Sequence, residues 1–115
     1  MEEKKYPQSR EKSFHRIRRC VMEALYDFFK SFPYATMELR QLSEDYGIEP
    51  EDLNWNIVYL EKCGLVDLAK SYAQPPFVSP SAVITAGGIE LIEDECRFDL
   101  KFPQPQQENN EDDQP

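Results

Sequence analysis

Hydrophobic residues recur along the chain at two different periods, and the change of period divides it. From Phe14 they fall at Phe14, Ile17, Val21, Leu25, Phe28 and Phe32, three or four apart, which is the stripe of an amphipathic helix. Ser13 stands where an N-cap would, and Pro33 closes the segment. After a short extended piece at Tyr34 and Ala35, Thr36 offers a second N-cap. Leu39, Leu42 and Tyr46 form the next stripe, and Gly47 takes the position of a C-terminal glycine. Pro50 then suits the first turn of a third helix, with Glu51 and Asp52 favourable to its dipole. Leu53, Ile57 and Leu60 face inward there, and Gly64 is the stop.

Beyond Gly64 the helical period gives way. Leu65 to Tyr72 reads as a strand, Ala73 to Pro80 as a loop with three prolines, and Ser81 to Thr85 as a returning strand, together a β-hairpin with a long tip. Thr85 caps a fourth helix over Ala86 to Glu95, with Ile89, Ile92 and Cys96 on one side. Cys96, Phe98, Leu100 and Phe102 then alternate with Arg97, Asp99 and Lys101, which predicts a last edge strand or an extended segment lying on the core. The expected fold class is α+β and mostly helical: a three-helix unit, a β-hairpin, a C-terminal helix and a short edge strand.

The residues at the turns carry a resemblance. Leu39, Leu42 and Gly47-Ile48, then Tyr59-Leu60-Glu61-Lys62-Cys63-Gly64-Leu65-Val66, then Ile84-Thr85-Ala86-Gly87-Gly88-Ile89-Glu90-Leu91-Ile92-Glu93 are similar to passages of the winged helix-turn-helix superfamily, of small bacterial and phage type. The likeness covers about residues 14 to 95. It implies that the third helix enters the major groove of DNA and that the hairpin, the wing, touches the backbone. The function it implies is that of a small DNA-binding transcriptional regulator.

Composition bounds the domain. In the 115 residues, Pro103 to Pro115 holds no apolar residue other than proline and carries four acids, so residues 103–115 are expected to be a disordered acidic tail. Residues 1–12 hold only Met1 and Tyr6 as hydrophobic residues and read as a loose arm. That leaves residues 13–102 as a single domain. No stretch is apolar enough for a membrane span, and the N-terminus lacks the apolar core of a secretory signal, so the expected location is cytoplasmic. Cys20, Cys63 and Cys96 form no CxxC pair, which argues against a zinc site or a disulfide framework. At or near apolar stripes, they are expected to be small core residues.

The chain carries 13 bases and 22 acids, a net charge of -9, and the two signs are unevenly placed. Residues 1–40 hold nine bases and six acids; residues 41–115 hold four bases and 16 acids. On a helical wheel with Leu53 at the origin, Ile57, Leu60 and Gly64 lie within about 40°, so Asn54, Trp55, Val58, Tyr59 and Lys62 project outward. Asn54 suits adenine edges and Lys62 guanine or phosphate. With Trp55, Tyr59, the wing residue Lys70 and the first-helix bases Arg16 and Arg19, they form the expected nucleic-acid face. Against this reading, Glu51, Asp52 and Glu61 would meet phosphates that repel them. Exposed together, Trp55, Val58 and Tyr59 instead suit a protein contact, so the alternative is an adaptor or inhibitor whose acidic surface repels or mimics nucleic acid.

No catalytic constellation is legible. His15 is the only histidine and has no nucleophile at a recognisable spacing, Glu90, Glu93, Asp94 and Glu95 lack the spacing of a calcium loop, and no GK[ST] follows Gly87-Gly88. We therefore expect no enzyme, no metal and no cofactor. The expected partner is double-stranded DNA or a protein. A homodimer through the first helix or through the Arg97 to Phe102 segment is a further expectation.

Overall fold

The long first stripe winds into α1, Tyr6–Ser31, in a computed structural model that describes residues 6–71 and 74–104, with side chains from Phe14 onward. The helix begins upstream of Ser13, so that residue is interior to it rather than its cap. Residues 1–5 of the expected arm and 105–115 of the expected tail lie outside the described residues. Val21 and Leu25 are buried as the stripe requires, and Met22 and Ala24 join them, while Phe32, past the helix end, is 56% exposed. The apolar face of α1 is therefore broad in its middle, as suits a helix that packs on several elements at once.

Met37–Glu38 forms a short strand, β1, and not the helix start expected at Thr36. Met37 pairs with Ala82 and Glu38 with Ser81, so the backbone is drawn into a sheet before α2, Leu39–Tyr46, can begin. The cap position falls to Glu38, whose side chain makes no capping bond. Gly47 ends α2 in the left-handed conformation (φ 63°), its N–H bonding back to the Ser43 carbonyl, and the Ser43 hydroxyl donates to the Ile48 carbonyl at 2.7 Å. Pro50 opens α3, Pro50–Lys62, as expected, and Leu53, Ile57 and Leu60 are wholly buried beneath it. Gly64 (φ 79°) turns the chain out of the helix.

The hairpin strands are β2, Val66–Leu68, and β3, Ser81–Ile84, both shorter than the sequence suggests. Val66 pairs with Ile84, Asp67 with Val83 and Leu68 with Ala82, and the antiparallel sheet runs in the order β1-β3-β2. Tyr72 and Ala73, at the expected junction of strand and loop, lie outside the described residues. The loop is anchored by Phe77, which is buried, and by Ser79, whose hydroxyl bonds the carbonyls of Ala69 and Ser81.

Thr85 caps α4, Ala86–Glu93, by accepting from the Gly88 N–H at 3.0 Å. The C-terminal edge strand does not form. In its place Glu95–Lys101 is a helix, α5, capped by Asp94, which accepts from the Arg97 N–H. The physical reason is that Phe98 and Phe102 both reach the core when they stand four residues apart on a helix, with ring centroids 5.8 Å apart. Leu100, which an alternating strand would place with them, is 82% exposed. The cysteines also depart from expectation: only Cys20 is half-buried, and Cys63 and Cys96 are exposed. Among the described residues the fold is thus α+β and mostly helical, five helices around one small antiparallel sheet. None of these helices is long and apolar enough to cross a membrane.

Candidate functional site: the outward face of the third helix

Helix α3 spends its inner face on the core and leaves its outer face uncovered. Trp55 is 67% exposed, Val58 and Tyr59 are half-buried at their edges, and Lys62 is exposed. With Asn54 and Val78 from the hairpin loop, they line an open hollow of about 450 Å³. The sequence placed Asn54, Trp55, Val58, Tyr59 and Lys62 together on this face, and the structure brings all five to one hollow. Val78, 42% exposed, is the member that sequence reasoning missed. Its only signal is an apolar residue inside a loop that buries its neighbour Phe77.

Both walls of the hollow are held by polar contacts. On one side Asn54 donates its amide N–H to the Pro76 carbonyl (2.9 Å) and accepts from the Val78 N–H (3.0 Å), which fastens the hairpin loop to α3. One donor and one acceptor of the group expected to read adenine are thereby committed within the molecule. On the other side the Arg18 guanidinium lies over the Tyr59 ring, 3.9 Å from its centroid. Arg18 also donates to Asn56 Oδ1 at 2.7 Å, and the buried Asn56 amide donates to the Asp52 carbonyl at 2.7 Å. No local pattern in the sequence announces this pairing, since Arg18 and Asn56 stand 38 residues apart.

The basic residues expected to converge on nucleic acid do not meet. Arg16 lines a cleft with Cys20, Tyr46 and Ile48, Lys62 lines the α3 hollow, and Arg19 lines a third depression beside α5. Arg19 is only 8% exposed. Its guanidinium bonds Glu23 (3.2 Å), Asp99 (2.9 Å) and the Phe102 carbonyl (2.5 Å), and lies 4.6 Å from the Phe98 ring centroid. It serves the junction of α1 and α5, where bonds to two carboxylates and a carbonyl offset the burial of its charge. Lys70 pairs with Glu61 at 2.7 Å, and that bond and charge raise its pKa above the ordinary lysine value. Glu61 is thus turned to the lysine of the hairpin loop.

Three further titratable groups are shifted by their surroundings. Burial, with Glu23 nearby, raises the Cys20 thiol, and partial burial likewise raises the Tyr46 hydroxyl. A bond donated to Glu93 at 2.6 Å raises Tyr26. Glu93 is thus engaged from α1 and Asp94 by the start of α5, and among the described residues no group of three or more His, Cys, Asp or Glu is arranged to hold a metal ion. His15 is exposed on α1. Comparison of the chain with protein-family models, with curated proteins and with solved structures found no match in any of the three.

Proposed function

We propose that the chain is a non-enzymatic binding module of winged-helix type, and that it works through the outward face of α3 and the adjoining hairpin loop by contacting a protein. The observation that carries this reading is the hollow itself. Trp55, Val58, Tyr59 and Val78 expose apolar surface together, between walls fixed by Asn54 and Arg18. Rigid aromatic anchors in a held setting are what protein interfaces use for most of their affinity. The element order, with a short strand before α2 and a two-stranded hairpin after α3, supports the winged-helix assignment.

A second reading, duplex DNA, draws on the same exposure of α3 beside a hairpin and on the family resemblance. It has less charge to work with, because Arg19 is buried, Lys70 is paired, and Glu51, Asp52 and Glu61 line the same helix. Two measurements separate the readings. Trp55→Ala should abolish capture of a protein from lysate while shifting stability by no more than about 0.5 kcal/mol, as expected for an exposed residue. Titration with generic duplex DNA at about 50 mM salt should give no binding. An affinity for DNA that weakens as salt rises, with capture unchanged by Trp55→Ala, would overturn the protein reading in favour of DNA.

A further inference from the structure

The outward face of α3 carries opposite charges at its two ends. Glu51, Trp55, Val58 and Lys62 are spaced four, three and four residues apart, so they form one stripe within about 60° of arc along the helix. Its centre falls between Asn56 and Ile57, with an acid at the N-terminal end, a base at the C-terminal end and two apolar residues between. Glu51, Trp55 and Lys62 are exposed and Val58 is half-buried.

From this pattern we propose that the protein seated on the α3 face is a second copy of the same chain, its α3 antiparallel to the first across a two-fold axis. This rests on the protein-contact reading above and names its partner. In that arrangement Trp55 of each copy meets Val58 of the other, and Lys62 of each meets Glu51 of the other. The contact is isologous, since each patch both offers and receives the same groups. The separation of Glu51 and Lys62 along the helix, about 16 Å at 1.5 Å per residue, is the same on both copies, so both ion pairs close together. The charges also select the direction. Parallel helices would set Glu51 against Glu51 and Lys62 against Lys62, whereas antiparallel helices pair opposite charges and oppose their dipoles.

The flanks suit a helix lying in this position. Tyr59 under the Arg18 guanidinium forms one side, and Val78 on the loop fastened by Asn54 forms the other. Neither side needs to be ordered on association, which lowers the entropic cost of pairing. The Trp55 ring of each copy enters the hollow of the other, which Val58 helps to line.

Sedimentation of the full chain over about 5 to 500 µM, a range suited to a small interface, tests the arrangement. We expect a concentration-dependent dimer. Trp55→Ala should weaken it on the order of tenfold or more, and Lys62→Glu alone several-fold, since it sets carboxylate against carboxylate. Combining Glu51→Lys with Lys62→Glu restores opposite charges across the axis, so the double variant should return to within about twofold of the original affinity. Circular dichroism of each variant confirms an unchanged fold. A chain that stays monomeric throughout, a dimer indifferent to Trp55→Ala, or a double variant no better than the single one would each overturn the proposal. A monomer that still loses protein capture on Trp55→Ala would overturn the two-fold pairing alone. Salt-sensitive DNA binding with no loss of capture would overturn the protein-contact reading beneath it.

Discussion

Two neighbouring arginines on α1 lead to two regions built from the same materials and left in opposite states. Arg18 reaches the α3 face, where its guanidinium covers one side of Tyr59 and the rest of the aromatic surface remains open. Arg19 reaches α5, where Phe98, Phe102, Asp99 and Glu23 close around it until 8% of the residue is exposed. An arginine beside aromatic rings is therefore not by itself a sign of a binding surface. The difference lies in what else is supplied. Around Arg19 the chain provides two carboxylates, a carbonyl and a ring, so its Nε and Nη1 are bonded from within and a ring lies against its face. At α3 the chain provides two apolar side chains and an indole with no cover, while Asn54 and Arg18 are spent on holding the walls.

This contrast predicts that damage to the closed region should appear in stability, and that damage to the open one should appear in how well its walls are held. The largest effect is expected for Arg19→Ala. It leaves Asp99 and the Phe102 carbonyl without their donor and uncovers Phe98, so unfolding free energy should drop by about 3 kcal/mol, readable as a lower urea midpoint. A loss under about 1 kcal/mol would mean that α5 is held by its two phenylalanines alone.

Gly88→Ala is next. A Cβ there would lie 2.3 Å from the Leu65 carbonyl oxygen and 2.7 Å from Ile84 Cγ1, so α4 must back away from the hairpin, at about 2 kcal/mol. Thermal unfolding measures it, and an unchanged midpoint would show that the approach of α4 to the end of α3 is loose.

The smallest of the three belongs to the open region. Asn54→Ala removes two bonds between α3 and the loop and should cost about 1 kcal/mol, while the Val78 amide should exchange its hydrogen faster. Should that amide keep its protection, the loop wall is held by Phe77 and Ser79 instead.

How much of this was legible in the sequence depends on element length. The third helix has 13 residues, enough for its buried and exposed sides to separate on a wheel, and the five outward residues named from the wheel line the observed hollow. The C-terminal helix has seven, too few to distinguish periods. Phe98 and Phe102 fit an alternating strand as well as a helical turn, and only Leu100 separates the two. The misread of Arg19 has a different origin. Its closing partner, Asp99, is 80 residues away, and no local pattern announces a bond across that distance. Thr36 was misread for the same reason, since the segment after it pairs with Ser81 and Ala82 in a strand far along the chain. Caps and turns set by near neighbours, at Gly47, Pro50, Gly64 and Thr85, were readable because their chemistry is local.

One hydroxyl has a mechanical consequence. Thr85 Oγ1 donates to the Gly64 carbonyl at 2.7 Å and accepts from the Gly88 N–H at 3.0 Å, while the Thr85 N–H bonds the Leu65 carbonyl at 3.0 Å. The turn that leaves α3 and the first turn of α4 thus share a single joint. A single hydroxyl therefore fixes where α4 starts relative to the chain leaving α3.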